Sequence, residues 1–181
     1  MNNFIVSLLV TICLSTIKHK QPEDMILWGE KTIQWEDFKG APPENYNTTH
    51  GAYTITSIKV AYSGFKGKIP NAKVLCYFVK DESWTLLNDD YSLEHERLHF
   101  DVAEIHARKI RRAFDSLRTN YITDISIYKG VVKLYGEKQE EFNHKYDGEV
   151  YGNKQKQAEW NTKIKKELKV LEEYGYLPFN D

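Results

Sequence analysis

Thiols are almost absent from this chain. Two cysteines, Cys13 and Cys76, stand among 181 residues, and Cys13 falls in an apolar N-terminal run expected to be removed. With Cys76 then alone, an intramolecular disulfide is impossible, and neither a thiol nucleophile nor a cysteine zinc site is expected. The run LCYFV around Cys76 reads as a buried strand in which cysteine serves as a small hydrophobe. An excess of charge is also missing. Lys and Arg number 25 against 26 Asp and Glu, a net charge of −1, which makes no case for nucleic acid or an anionic membrane surface as partner. Long apolar runs are lacking too. The one candidate, FIVSLLVTICLSTI over residues 4–17, has signal-peptide length and is too short to span a bilayer comfortably. Residues 1–20 are therefore read as a signal peptide and the protein as secreted or periplasmic, with no stable membrane span once the signal is gone. There is no repeat and no long low-complexity run. With 41% hydrophobic and 28% charged residues, 21–181 are expected to form a single globular domain with enough apolar material for a core.

What the chain does have is the stretch Ser92 to Arg112, SLEHERLHFDVAEIHARKIRR, with His95, Glu96 and His99 in the spacing HExxH. On an α-helix, side chains four residues apart lie one above the other, so two imidazoles can be presented to one ion. This is how two ligands of a catalytic zinc are supplied. Glu96 lies a quarter turn away, placed to take a proton from water without being a ligand. At about 100° per residue, His95, His99, Val102, His106, Ile110, Ala113 and Leu117 share one face, while Asp101 and Glu104 turn away from it. The two histidines therefore ride on the stripe predicted to be buried, where an imidazole needs a partner. His106 shares the face but stands about 10 Å along the axis from His99, which fits a hydrogen-bonded core histidine better than a ligand of the same ion.

Before this helix the signals are those of strands. Thr32 to Trp35, Ala52 to Tyr62 and Lys73 to Val79 are β-prone runs, Gly40 to Pro43 breaks the chain, and Gly64 to Pro70 has the composition of a hairpin connection. After it the chain turns near Arg118 to Thr123, with helical composition from Glu137 to Lys145 and from Lys154 to Tyr174. Tyr146 to Asn153, YDGEVYGN, carries two glycines and is expected to break the helix. Four tryptophans and twelve tyrosines are read as packing residues. His50, in NYNTTHGAY, reads as a surface turn residue, and His19 falls just after the apolar run. The expected architecture is α+β, a small antiparallel sheet packed on a central HExxH helix with further C-terminal helices.

LEHERLHFDVAEIHARKIRR also resembles the HEQxHFDIxExxAR signature of a bacterial family of domains of unknown function, regarded as secreted zinc-dependent proteases. TIQWEDFKG is similar to that family's LxWxDFxG entry segment, and KYDGEVYGNKQKQAEW to its YDxET and QxxW block. Together these segments cover most of the chain after residue 30. Many members carry a His just after the YDxET block, where this chain has Tyr151 and Gly152. The resemblance implies a zincin-like fold, zinc as cofactor and a peptide or protein substrate. A catalytic zinc takes three protein ligands and leaves one position for water. The third ligand is sought in the YDxET-like block, with Asp147 preferred and Glu149 and His144 as alternatives. Another reading of Asp147 is as a cap for the following helix. The activity implied is peptide hydrolysis with Glu96 as general base and Tyr146 or Tyr151 near the oxyanion. The rival is a non-catalytic binding module retaining the metalloprotease fold.

Overall fold

The computed structural model describes residues 23–44, 51–64 and 66–176. The N-terminal apolar run with Cys13 and His19 lies outside the described residues, as does His50. The architecture is mixed α+β, with five short to medium strands followed by three helices. Strand β1 is Met25–Leu27, β2 Ala52–Tyr53, β3 Thr56–Ser63, β4 Asn71–Val79 and β5 Trp84–Thr85. Helix α1 spans Asp90–Thr119, α2 Ile125–Val150 and α3 Lys154–Val170.

The longest strand, β4, is rich in β-branched and aromatic residues and takes the middle of an antiparallel sheet ordered β1-β4-β3. Its register with β3 runs from Thr56↔Phe78 to Ser63↔Asn71, the hairpin expected over Gly64 to Pro70. β2 and β5 form a separate two-stranded pair. The reading of Ala52 to Tyr62 as one strand is corrected, since β2 and β3 belong to different sheets. Thr32 to Trp35 is not a strand either. The Asp37 carboxylate accepts the Gln34 backbone N–H at 2.9 Å and Lys31 Nζ at 2.5 Å, and Trp35–Asp37 winds into a 3₁₀ turn. A local side-chain acceptor has won the backbone donor that a ladder would have used.

α1 is the axis of the molecule. Asp89 caps it by accepting the Ser92 N–H at 2.8 Å, and neither Gly nor Pro interrupts its thirty residues. One side packs Leu93, Phe100, Ala103, Ala107, Ile110 and Phe114 against the sheet residues Ile26, Val74, Cys76 and Phe78. The other packs Leu98, Val102 and Ile105 against Tyr146 and Val150 of α2 and Trp160 and Ile164 of α3. A helix clad on two sides has little wet surface left. Asp101 and Glu104, turned away from the histidines by helical geometry, are accordingly not solvated. Asp101 accepts Trp28 Nε1–H at 2.8 Å. Glu104 is 1% exposed and is held by Arg108 and Arg111, each at 2.9 Å. These arginines also reach the backbone carbonyls of Leu168, Val74 and Tyr174, tying α3, the sheet and the last turn to α1. A buried carboxylate is tolerable only with partners of this quality.

The break expected over Tyr146 to Asn153 falls later and is shorter. α2 continues through Gly148 to Val150, because burial of Tyr146 and Val150 outweighs the roughly 1 kcal/mol that a helical glycine costs. The chain turns only at Tyr151 and Gly152, where Gly152 takes φ +66°, and Asn153 caps α3 by accepting the Lys156 N–H at 3.0 Å. The cap is therefore Asn153, and Asp147 sits in the last turn of α2.

Candidate metal centre

Three helices meet around His95 and His99. Their i, i+4 spacing on α1 brings the two Nε2 atoms to 3.3 Å from each other. α2 crosses this point with its final turn, and its i, i+3, i+4 positions Asn143, Tyr146 and Asp147 face the histidines. Asp147 Oδ1 lies 3.2 Å from His95 Nε2 and 3.1 Å from His99 Nε2. His95, His99 and Asp147 thus form a group able to hold a metal ion.

The other candidates of the block point elsewhere. Glu149 accepts the Trp160 indole N–H at 2.9 Å, and His144 is exposed on α2 and is not part of the group. His106 is 2% exposed and bonded through Nδ1 to the Val102 carbonyl at 2.8 Å, a core role. Tyr151 is 79% exposed at the end of α2 and does not join the group, whereas Tyr146 is fully buried beside it. The Tyr146 ring stacks on His95 with centroids 4.6 Å apart and meets His99 edge-on at 5.1 Å. Burial pushes its hydroxyl far above the usual tyrosine range, so it stays protonated, donating or accepting hydrogen bonds but not serving as an anion.

Electrostatics and polar satisfaction both single out this point. Burial works against the charged form of Asp147, yet the adjoining imidazoles outweigh it and hold the carboxyl well below its ordinary range. Burial would likewise lower His99, but Asp147, Glu96 and Asn143 together raise it. Glu96 Oε2 is a buried side-chain oxygen without a hydrogen-bond partner among the described residues, and buried Asp147 Oδ1 has the two imidazole nitrogens as its near neighbours. A buried carboxylate oxygen without a partner is costly, and a cation held between the imidazoles and Asp147 would offset that cost. The donor set of two imidazole nitrogens and a carboxylate oxygen suits a borderline metal of the zinc kind.

Behind the histidines stands a layer that the sequence reading did not assign. His99 Nδ1 meets Asn143 Oδ1 at 3.1 Å, and His95 Nδ1 meets Gln157 Oε1 of α3 at 3.1 Å. Gln157 and Trp160 are the first and last residues of the QAEW segment, so the motif was visible but not what it touches. Asn143 stands one helical turn before Asp147, a spacing that could have flagged it once Asp147 was chosen. No family model, curated protein or solved structure matches this chain.

Proposed function

We propose that this protein is an extracytoplasmic zinc-dependent metallopeptidase of zincin-like fold, with His95, His99 and Asp147 as zinc ligands and Glu96 as general base. The observation that carries the reading is the convergence of two imidazole nitrogens and one carboxylate oxygen within 3.1 to 3.3 Å of each other, beside a buried glutamate whose Oε2 has no hydrogen-bond partner among the described residues. Three protein ligands leave a fourth position open. Zinc bound there supplies a Lewis acid that polarises a carbonyl and brings the pKa of water towards 7.

The residues of the chain do the rest. Glu96 Oε2, without a hydrogen-bond partner among the described residues, accepts a proton from the attacking water and returns it to the departing amine nitrogen as the C–N bond breaks. Its carboxylate is among the groups that raise His99 and Tyr146, which supports assigning it to the same centre. Tyr146 walls the site on the α2 side and keeps the imidazole planes fixed. The peptide or protein substrate is assigned to the β3 edge, which pairs with β4 on one side only. Just before that strand the Thr54 hydroxyl donates to the Glu96 carbonyl at 3.4 Å, so an extended peptide added to β3 would run past the site. Secretion rests on the N-terminal apolar run.

A binding module that had lost catalysis has no chemical use for Glu96, and its unpartnered buried oxygen favours the enzyme. The decisive experiment measures metal content and peptide cleavage of the wild type and Glu96→Gln. The wild type should carry about one zinc, and Glu96→Gln should keep the zinc and the fold while hydrolysis drops by roughly 10² to 10⁴ or more. A wild type that stays metal-free in excess zinc ends the reading. If the variant cleaves at the wild-type rate, the role of Glu96 is wrong.

A further inference from the structure

From Glu94 a line of hydrogen bonds leads to the back of the metal centre. Asn161 Nδ2 donates to Glu94 Oε1 at 2.9 Å, Gln157 Nε2 donates to Asn161 Oδ1 at 2.8 Å, and Gln157 Oε1 meets His95 Nδ1 at 3.1 Å. The second N–H of Gln157 reaches the Tyr146 hydroxyl at 2.7 Å, and that hydroxyl is 3.3 Å from the His95 carbonyl. Gln157 is 3% exposed and every hydrogen-bonding site it owns is occupied.

The line has two possible senses. A half-turn of a side-chain amide exchanges its donor and acceptor ends, so a row of amides can run either way. An ionised carboxylate cannot be turned round in this manner, because both of its oxygens accept. With Glu94 at the end, Asn161 must offer its nitrogen to Glu94 and its oxygen to Gln157, and Gln157 must then offer its oxygen to His95. The reverse sense would set two acceptor oxygens 2.9 Å apart at Glu94. It would also aim an N–H at His95 Nδ1, moving the imidazole proton to Nε2 and blocking the very nitrogen that faces Asp147 and His99.

We propose that Glu94 is a positioning residue that sets the direction of a relay through Asn161 and Gln157, holding His95 in its Nδ1–H tautomer with the Nε2 lone pair turned to the metal position. This rests on the metal reading above. Spacing explains the construction. Gln157 and Asn161 are one turn apart on α3, so they stand in a row facing α1, and Glu94 adjoins His95 in sequence, so the relay leaves α1 and returns to it. A metal-ligating histidine is commonly oriented by an acceptor on its other nitrogen; here the carboxylate acts at a distance, through two neutral amides.

The test uses the full chain with ¹⁵N-labelled histidine, metal-free and in alkaline buffer where imidazoles are neutral, together with zinc affinity by chelator competition. In the wild type, His95 should carry its proton on Nδ1 even though the Asp147 carboxylate, 3.2 Å from Nε2, competes for it there. Gln157→Leu should mix the tautomers and weaken zinc roughly 10- to 100-fold. Glu94→Leu should weaken zinc on its own but add nothing in the Gln157→Leu background, as a serial relay requires. A wild-type His95 protonated on Nε2, unchanged zinc affinity in Gln157→Leu, or strictly additive penalties would each overturn the relay. The wild-type spectrum needs no variant to fold. It also stands apart from the zinc measurement, so failure of the wild type to bind zinc would sink the metallopeptidase reading while the tautomer still decides the relay.

Discussion

His95, Glu96 and His99 were legible as a unit because their spacing is a local property of one helix. Asp147 was legible only as one of several acids in a matched block, since nothing in a linear string says which carboxylate the last turn of α2 will aim at α1. Gln157 and Asn143 were not legible as partners of the imidazoles, because an amide pointing at a histidine depends on how two further helices cross. Two outcomes follow for single residues. Asp147→Ala should lose zinc, whereas Glu149→Ala should keep it and lose only its contacts to Trp160 and Lys145; a crystal structure with zinc should put an Asp147 oxygen about 2.0 to 2.2 Å from the ion. Zinc retained by Asp147→Ala would move the third ligand elsewhere. The second concerns Asp101, whose carboxyl is raised by burial, with the Trp28 hydrogen bond opposing. A folded pKa above the unfolded one means a contribution that is complete below the unfolded value and lost as pH rises through the folded value. Asp101→Asn keeps an acceptor for Trp28 and removes the buried charge. Its melting temperature should exceed the wild type's at neutral pH, with the difference fading as the pH drops below the carboxylate range. Thermal scans across pH check this, and a variant less stable at neutral pH would contradict it.

At the scale of elements, the long helix, the β3–β4 hairpin and the position of Cys76 in a buried strand could all be read from periodicity and turn composition. Burial pushes the Cys76 thiol well above its ordinary range, which leaves it an inert packing group. What could not be read were features decided by competition. Asp37 captured a backbone N–H and replaced an expected strand with a turn, and burial of Tyr146 and Val150 carried α2 through Gly148. The third helix and its boundary followed from Asn153 and the glycine before it. β1 was missed because a three-residue strand carries too little pattern of its own and exists only through pairing with β4. One glycine matters at this scale. Gly40 donates its N–H to Ser83 O at 2.8 Å, and a Cβ on it would lie 2.8 Å from Asp81 O and 2.9 Å from Ser83 O. Backbone cannot step aside as a flexible side chain does. Gly40→Ala should destabilise by roughly 1 to 3 kcal/mol in denaturant unfolding without changing zinc content, and a neutral effect would mean that this loop gives way more easily than its contacts imply.

For the molecule as a whole, the proposed metal centre would tie together elements distant in sequence. Two candidate ligands stand on α1 and one on α2, and the amide facing His95 comes from α3. Zinc that binds the folded chain a thousand times below its working concentration would add about 4 kcal/mol, which for a domain of this size is a rise of roughly 10 °C in melting temperature. Chelation should remove that rise, and calorimetry with and without zinc measures it. No helix among the described residues is long and apolar enough to cross a membrane. The joint between α2 and α3 gives the tie a further meaning. Tyr151 is 79% exposed and Gly152 bends the chain only four and five residues after Asp147. If an ion is held there, its loss would free the last turn of α2, and this joint would be the easiest place for a protease to enter. Limited proteolysis should cut the chelated protein between α2 and α3 while sparing the loaded form; equal cutting of both would refute it. If the centre holds zinc as proposed, metal content would set the lifetime of the fold, and copies that fail to keep the ion would be the first to be degraded.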